Sequence, residues 1–396
     1  MTQKSTYQIS QLKFVQYHPN TEIDLIKRHW KSLLQACPQH YFLSWGWIST
    51  WLNSLPAKHN VRLIVGFMGD EPALAFFAGL SSKKWMKLFR TKVVSLNTTG
   101  IPFFDKIYLE YNTIVMRPDL KANAQELLCA LHGLDWDEFW LPGLSMQFIE
   151  QFSEFLDEKK IAAVLEEKSA APYVDLQQVR EAEMDYLRLI SANKRSQIRR
   201  SIKEYEKDGP INIQAAQTPE QALLFLDNLA SLHNKEWRQR GVEGAFSNEY
   251  FYQFHKNLIT ARFSSGEIQL LRIATPVTEI GYLYNFTDQN RVYFYQSGFN
   301  YLPGNVYRPG LVSHYYAILH YAYAGKSVYD FMAGEADYKT SMATSAEEMY
   351  WVRVFRNRAL FIAWKWLSAL KTRAKSAPAT ARVLKKLKKI AFSSEN

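Results

Sequence analysis

Apolar residues recur at helical spacing in several windows of the chain. Over residues 22–36, Ile23, Ile26, Trp30, Leu33 and Leu34 fall near one face, which predicts a helix. The aromatic-Ser stretch YFLSWGWISTWLNSL follows. Two strand-like runs come next, VRLIVGFM and ALAFFAGL, joined by Gly69-Asp70-Glu71-Pro72, a hairpin signal. The same order returns about two hundred residues later. Within 220–237, Leu223, Leu226, Leu229 and Leu232 keep helical spacing. AFSNEYFYQFHKNLI follows, then EIQLLRIA and IGYLYNFT joined by Thr275-Pro276-Val277-Thr278. Residue identities hardly repeat, so the order of elements alone carries the suggestion of a duplication; chance agreement between two α/β domains is the competing reading.

The second block continues. RVYFYQS alternates aromatics as a strand, and GFNYLPGNVYRPG is a loop. LVSHYYAILHYAYA reads as a helix closed by Gly325 at its C′ position. SVYDFMA is a strand, GEADYKTSMATSAEE a loop, MYWVRVFR the last strand and ALFIAWKWLSALK the last helix. We therefore expect an α+β protein of two similar domains, residues 1–180 and 181–370, followed by a basic tail at 371–396.

Composition narrows the class. The chain has 396 residues, 47% hydrophobic and 22% charged, which fits two or three ordinary globular domains. Collagen-like, wholly disordered and disulfide-scaffold classes are excluded. Cys37 and Cys129 are too few for a metal cage, so no metal is expected, and they suit a reducing compartment. The formal net charge of +10 is unevenly placed. Residues 371–396 hold eight basic residues and one acidic; residues 193–207 hold six and two. Met1–Ser10 is polar and no run reaches the ~18–20 apolar residues of a membrane span. The expected location is cytoplasmic, with peripheral attachment at the inner face of a membrane as an option.

Three segments could carry chemistry. In Tyr307-Arg308-Pro309-Gly310-Leu311, Pro suits a first helical turn and Gly permits close backbone approach. The free N–H groups of such a turn bind anions, and Arg308 adds a charge; a plain helix start is the competing reading. In NKRSQIRRSIKEYEK, Ile198, Ile202 and Tyr205 form an apolar stripe while Lys194, Arg195, Arg199, Arg200 and Lys203 spread over other faces. That helix either contacts phosphate or is a solvated connector ended by Gly209-Pro210. In LHNKEWRQRGVEGAF, His233, Trp237 and Arg240 cluster before a glycine break; His233 alone reads more readily as a satisfied core histidine.

The segments YFLSWGWISTWL, SANKRSQIRRSIKEYEKDGP, LASLHNKEWRQRGVEGAFS, YRPGLV and YDFMAGEADYK, in that order, resemble the GNAT acyltransferase superfamily. The closer resemblance is to its tandem-domain branch, which contains Fem-type aminoacyltransferases and acetyltransferases of exopolysaccharide synthesis. The resemblance implies two GNAT-like domains, each a mixed, mostly antiparallel sheet flanked by helices. It implies direct acyl transfer to an amine or hydroxyl, from acyl-CoA (acetyl-CoA) or, in Fem-type members, from aminoacyl-tRNA. The acceptor would be a small molecule or a cell-envelope precursor.

On that footing Tyr307, Arg308, Pro309, Gly310 and Leu311 bind the donor. Arg195, Arg199, His233, Trp237 and Arg240 bind substrate. Glu335, Tyr338 and Lys339 supply catalysis, because direct transfer needs a base, an acid and stabilisation of developing negative charge. Asp330 reads better as a structural hydrogen-bonding group at a strand end. The usual phosphate loop has more glycines than Gly304 and Gly310 provide, so a catalytically degenerate binding protein is a further alternative.

In the tail, ARVLKKLKKIAF places Val383, Leu384, Leu387 and Ile390 on one face and basic residues elsewhere. Residues 381–391 either lie on an anionic membrane surface or belong to a disordered solubilising tail. No zinc spacing or DNA-binding motif is present, so no sequence-specific nucleic acid is expected as a partner.

Overall fold

A computed structural model of the chain describes residues 6–8, 12–37, 39–85, 89–120, 129–146, 148–149, 162–334 and 336–376. The first block begins with strands β1 (Thr6–Gln8) and β2 (Lys13–Tyr17). The stripe read over 22–36 lies on helix α1 (Pro19–Ala36), which opens on proline and buries Ile26, Trp30 and Leu33. Helix α2 (Trp45–Ser54) is capped by Ser44 Oγ, which accepts from the Trp47 N–H. Strands β3 (Val61–Met68), β4 (Glu71–Trp85) and β5 (Phe89–Leu96) continue the sheet antiparallel, and Gly69 takes φ +61° in the β3–β4 hairpin. β6 (Val115–Met116) pairs with β4, and β7 (Glu138–Ser145) runs parallel to β5. β8 (Ala162–Asp175) and the short helix α3 (Leu176–Glu181) end this half.

The second block opens with α4 (Ala192–Tyr205), the basic helix, capped by Ser191. Its apolar stripe packs as read: Ile198 and Tyr205 are buried and Ile202 half-buried. β9 (Asn212–Ala215), α5 (Pro219–Gln239), α6 (Glu249–Arg262), β10 (Ile268–Ala274), β11 (Glu279–Asp288) and β12 (Arg291–Phe299) repeat the order of the first half. Helix α7 (Pro309–Tyr323) ends at Gly325, φ +76°, and leads to β13 (Val328–Asp330), parallel to β12. The stretch 334–348, read as a loop, is not one throughout. It contains α8 (Asp337–Met342), and β14 (Ser345–Phe355) starts at its end because its polar first residues pair along β8. Helix α9 (Arg358–Ser376) follows.

All strands but β6 lie on one path, β1-β2-β3-β4-β5-β7-β14-β8-β13-β12-β11-β10-β9. The two arms match strand for strand: β2 with β9, β3 with β10, β4 with β11, β5 with β12, β7 with β13. The last strands are exchanged. β8, from the first half, pairs with β13 of the second; β14, from the second, pairs with β7 of the first; and the two pair with each other.

The halves also share a core. Tyr41 stacks on Phe286 at 4.5 Å and Trp47 packs on Phe254 at 4.9 Å, so aromatic residues of α2 and the turn before it pack against β11 and α6. Among the described residues no helix is long and apolar enough to cross a membrane.

Candidate active site

Among the described residues each half contains one parallel strand pair, and the two pairs differ at their carboxyl ends. In the first half Asn112 closes the gap after β5 and β7. Its N–H donates to Gly143 O at 2.8 Å, and its Nδ2 donates to Leu96 O at 3.0 Å and Pro142 O at 2.9 Å. Its Oδ1 accepts from Asn97 Nδ2 at 2.7 Å. In the second half β12 and β13 pair only from Arg291–Val328 to Tyr293–Asp330 and then separate. A cleft of about 500 Å³ occupies the separation. The carboxyl ends of parallel strands are where such crevices form in α/β folds.

One wall is β12. A bulge there sets Tyr284 opposite Gln296 and Asn285 opposite Phe294, leaving Tyr295 as the extra residue, so Tyr295, Gln296 and Ser297 all reach the cleft. Gly298 lets α5 lie directly on this strand; a Cβ there would sit 2.2 Å from Leu229 O. That packing brings His233 Nδ1 to Ser297 O at 3.0 Å, while its Nε2 accepts from the Ala245 N–H at 3.2 Å. Both ring nitrogens are thereby engaged by backbone. Burial lowers the His233 pKa, so the ring is neutral at physiological pH. His233 lines the cleft as a fixed wall, in line with the core-histidine reading. Trp237 and Arg240 lie at the mouth, the guanidinium 5.5 Å from the indole centroid and paired with Glu236 at 2.7 Å.

The opposite wall is the turn after β13. Met332 holds φ +61°, an unfavourable value for a side-chain-bearing residue, fixed by its N–H donating to Asp330 Oδ1 at 2.7 Å. Asp330 is fully buried and also accepts from Tyr111 OH at 2.6 Å and Arg291 Nε at 2.9 Å. That set of bonds is the structural role expected of it. Lys339, on α8, donates to Ala333 O at 2.7 Å and Met332 O at 3.3 Å, and burial lowers its pKa. Tyr338 stacks on His314 at 5.4 Å; burial raises its pKa well above the usual tyrosine value, so it remains a proton donor. Glu335 lies outside the described residues.

The residue that sequence reasoning missed is Glu110. It belongs to the first half, in the irregular stretch that also supplies Asn112, and crosses to the cleft of the second. Its carboxylate accepts from the Ala333 N–H at 2.8 Å. Burial raises its pKa from 4.5 to about 7; the Ala333 hydrogen bond and the Lys339 charge oppose that rise, and Asp330 adds to it. Tyr108, from the same stretch, also lines the cleft. An isolated LEYN in the sequence carries no periodic or motif signal, and its partner Lys339 is distant along the chain.

The other expected residues sit outside this cleft. Tyr307–Leu311 form the entry to α7, and Gly310 backs onto Phe299, whose ring would meet a Cβ there at 3.2 Å. Phe299 is itself a cleft residue, so the helix start and the cleft adjoin. Ser201 of α4 clamps this entry, donating to Val306 O at 2.9 Å and accepting from the Arg308 N–H at 2.8 Å. Arg195, Arg199, Arg200 and Lys203 line a groove of about 380 Å³ along α4, and none makes an ion pair among the described residues. Pro309 offers no N–H, but Gly310 and Leu311 do, and Arg308 is exposed. Free N–H groups at a helix start and an exposed guanidinium are groups that could hold a phosphate. Among the described residues no group of His, Cys, Asp and Glu could hold a metal ion.

Residues 192–340 match the acetyltransferase (GNAT) domain family. The whole fold is similar to the crystal structure of FemX, with TM-score 0.56 and 10% identity over 91% of this chain and 99% of that one. A conserved protein of unknown function from Bacteroides thetaiotaomicron gives TM-score 0.51 and 9% identity over 89% and 100%. L-PGS from Bacillus licheniformis gives 0.50 and 10% over 87% and 96%. At these identities the likeness is one of fold. No curated protein matches the chain.

Proposed function

We propose, from the premise that residues 192–340 are a GNAT acetyltransferase domain within a tandem GNAT fold, that the protein transfers an acyl group directly from a phosphate-bearing donor to an amine or hydroxyl. The observation that carries this reading is Glu110, a half-buried carboxyl whose pKa desolvation raises to about 7, in an open cleft that adjoins the Tyr307–Leu311 helix entry through Phe299. A base with that pKa is matched to removing a proton from an acceptor near neutral pH. A bound acyl-CoA would supply an activated thioester carbonyl. Gly310, Leu311, Arg308 and the α4 groove would hold its phosphates. Tyr338, protonated at neutral pH, would return a proton to the leaving group. Lys339 holds the 332–333 turn and stabilises the ionised form of Glu110. Trp237 and Arg240 would meet the acceptor at the mouth, for which a cell-envelope or exopolysaccharide precursor is our candidate.

The test is incubation of purified protein with acetyl-CoA and a panel of amines and sugars, following free thiol. Acceptor-dependent thiol release is expected. If the protein neither binds acyl-CoA calorimetrically nor releases thiol, the acyl-CoA version is wrong. The unpaired cations of the α4 groove support a second donor, aminoacyl-tRNA. Filter binding of charged tRNA at moderate salt tests it, since phosphate-driven binding appears there.

A further inference from the structure

We propose that the outer face of α9 docks on an anionic lipid bilayer. The helix has two distinct sides. Phe361 and Trp364 turn inward onto Phe355 of β14, at 5.8 Å each. Ile362 and Trp366, one turn apart, face outward, and Trp366 is 70% exposed. Leu165, on β8 against which α9 packs, is also exposed. A large aromatic and a branched aliphatic stand exposed one turn apart, and the charge around them points to an anionic partner. From Arg358 to Asn396 the sequence holds ten basic residues and one acidic, nearly the whole net charge of the protein. A tryptophan beside lysine and arginine suits the headgroup boundary, where the ring enters the apolar edge and the cations meet lipid phosphate. The described part of α9, Arg358–Ser376, carries five basic residues and no acidic one. Lys365, between the two exposed apolar residues, lies 5.0 Å over the Phe361 ring.

The experiment is co-sedimentation of the full chain with vesicles of 30% phosphatidylglycerol in phosphatidylcholine, against phosphatidylcholine alone. Binding to the anionic vesicles only is expected, and its loss at high salt. Ile362→Ser with Trp366→Ala should weaken that binding about tenfold or more, the effect of withdrawing two apolar side chains from the interface. Transfer to a water-soluble acceptor should stay unchanged in this variant, since neither residue is near the cleft. The proposal is overturned if the wild-type chain does not sediment with anionic vesicles. It is equally overturned if the double variant binds them as well as wild type, which would leave charge alone as the cause. Lipid-free dimerisation that the double variant abolishes would also overturn it, by assigning the face to a second copy.

Discussion

The two halves of this protein build the same parallel strand pair and finish it in opposite ways. In the first, Asn112 spans the gap with four hydrogen bonds and the sheet end is sealed. In the second, a bulge in β12 and the short β13 leave the gap open. The stretch that seals the first half also completes the second, because Glu110 stands two residues from Asn112. The first half lends Glu110 to a cleft whose other walls belong to the second. The comparison teaches that two halves with the same order of elements, among the described residues, share the lining of one cleft across their seam.

Four experiments would break or sharpen that contrast. The largest effect is expected where the halves are stitched. Arg353 of β14 pairs with Glu138 of β7 at 2.7 Å and also with Glu166, with Glu138 almost fully buried. Arg353→Met should lower unfolding free energy by about 3–5 kcal/mol in a denaturant titration, since it withdraws the guanidinium from the buried Glu138 and from Glu166 at once. A loss below ~1 kcal/mol would mean the exchanged strands are not the main tie.

Next comes Glu110→Gln, which keeps a carbonyl for the Ala333 N–H but removes the base. We expect kcat/KM for transfer to fall about 10²–10³-fold and its rise with pH through about 7 to disappear. The stability of this variant should move the other way. A carboxyl raised from 4.5 to about 7 favours the folded state below pH 4.5, and that contribution is lost as pH rises through 7. Glu110→Gln should therefore be more stable than wild type at pH 8.5 by up to about 3 kcal/mol, and not at pH 4, read as Tm by calorimetry.

Asn112→Ala tests the closed half. It strands buried carbonyls at Leu96 and Pro142 and should cost about 2–3 kcal/mol, with kcat of the folded enzyme within a few-fold of wild type. A collapse of kcat would show that the seal also positions Glu110. The smallest effect belongs to Arg199→Ala on the α4 groove. A rise in donor KM of about 2–5-fold that vanishes at high salt is expected, because a single exposed charge contributes little.

Much of the architecture was legible along the chain. The helix over 22–36, both hairpins and Gly325 at a helix end follow from local spacing and turn chemistry, and they stand in the fold where the pattern put them. The exchange of β8 and β14 was not legible, since pairing between distant strands leaves no periodic mark on either. The site divides in the same way. Lys339 and Tyr338, singled out by the motif, line the cleft, while Arg195 and Arg199 line a separate groove along α4. His233 turned out to be spent on Ser297 and Ala245, as a histidine at the end of an apolar stripe tends to be. Glu110 escaped because its chemistry arises from burial against the other half, which no local window contains.

The exchanged strands also set a timetable for synthesis. β7 emerges with one side paired to β5, but its other neighbour, β14, is encoded about two hundred residues later. At translation speeds of roughly 5–20 residues per second, the first half waits on the order of 10–40 s with an open, apolar sheet edge. An unfinished edge is a template for wrong partners. Until β14 appears that edge stays open, and a gene cut between the halves would leave β7 and β8 of the first fragment without the strand that joins them.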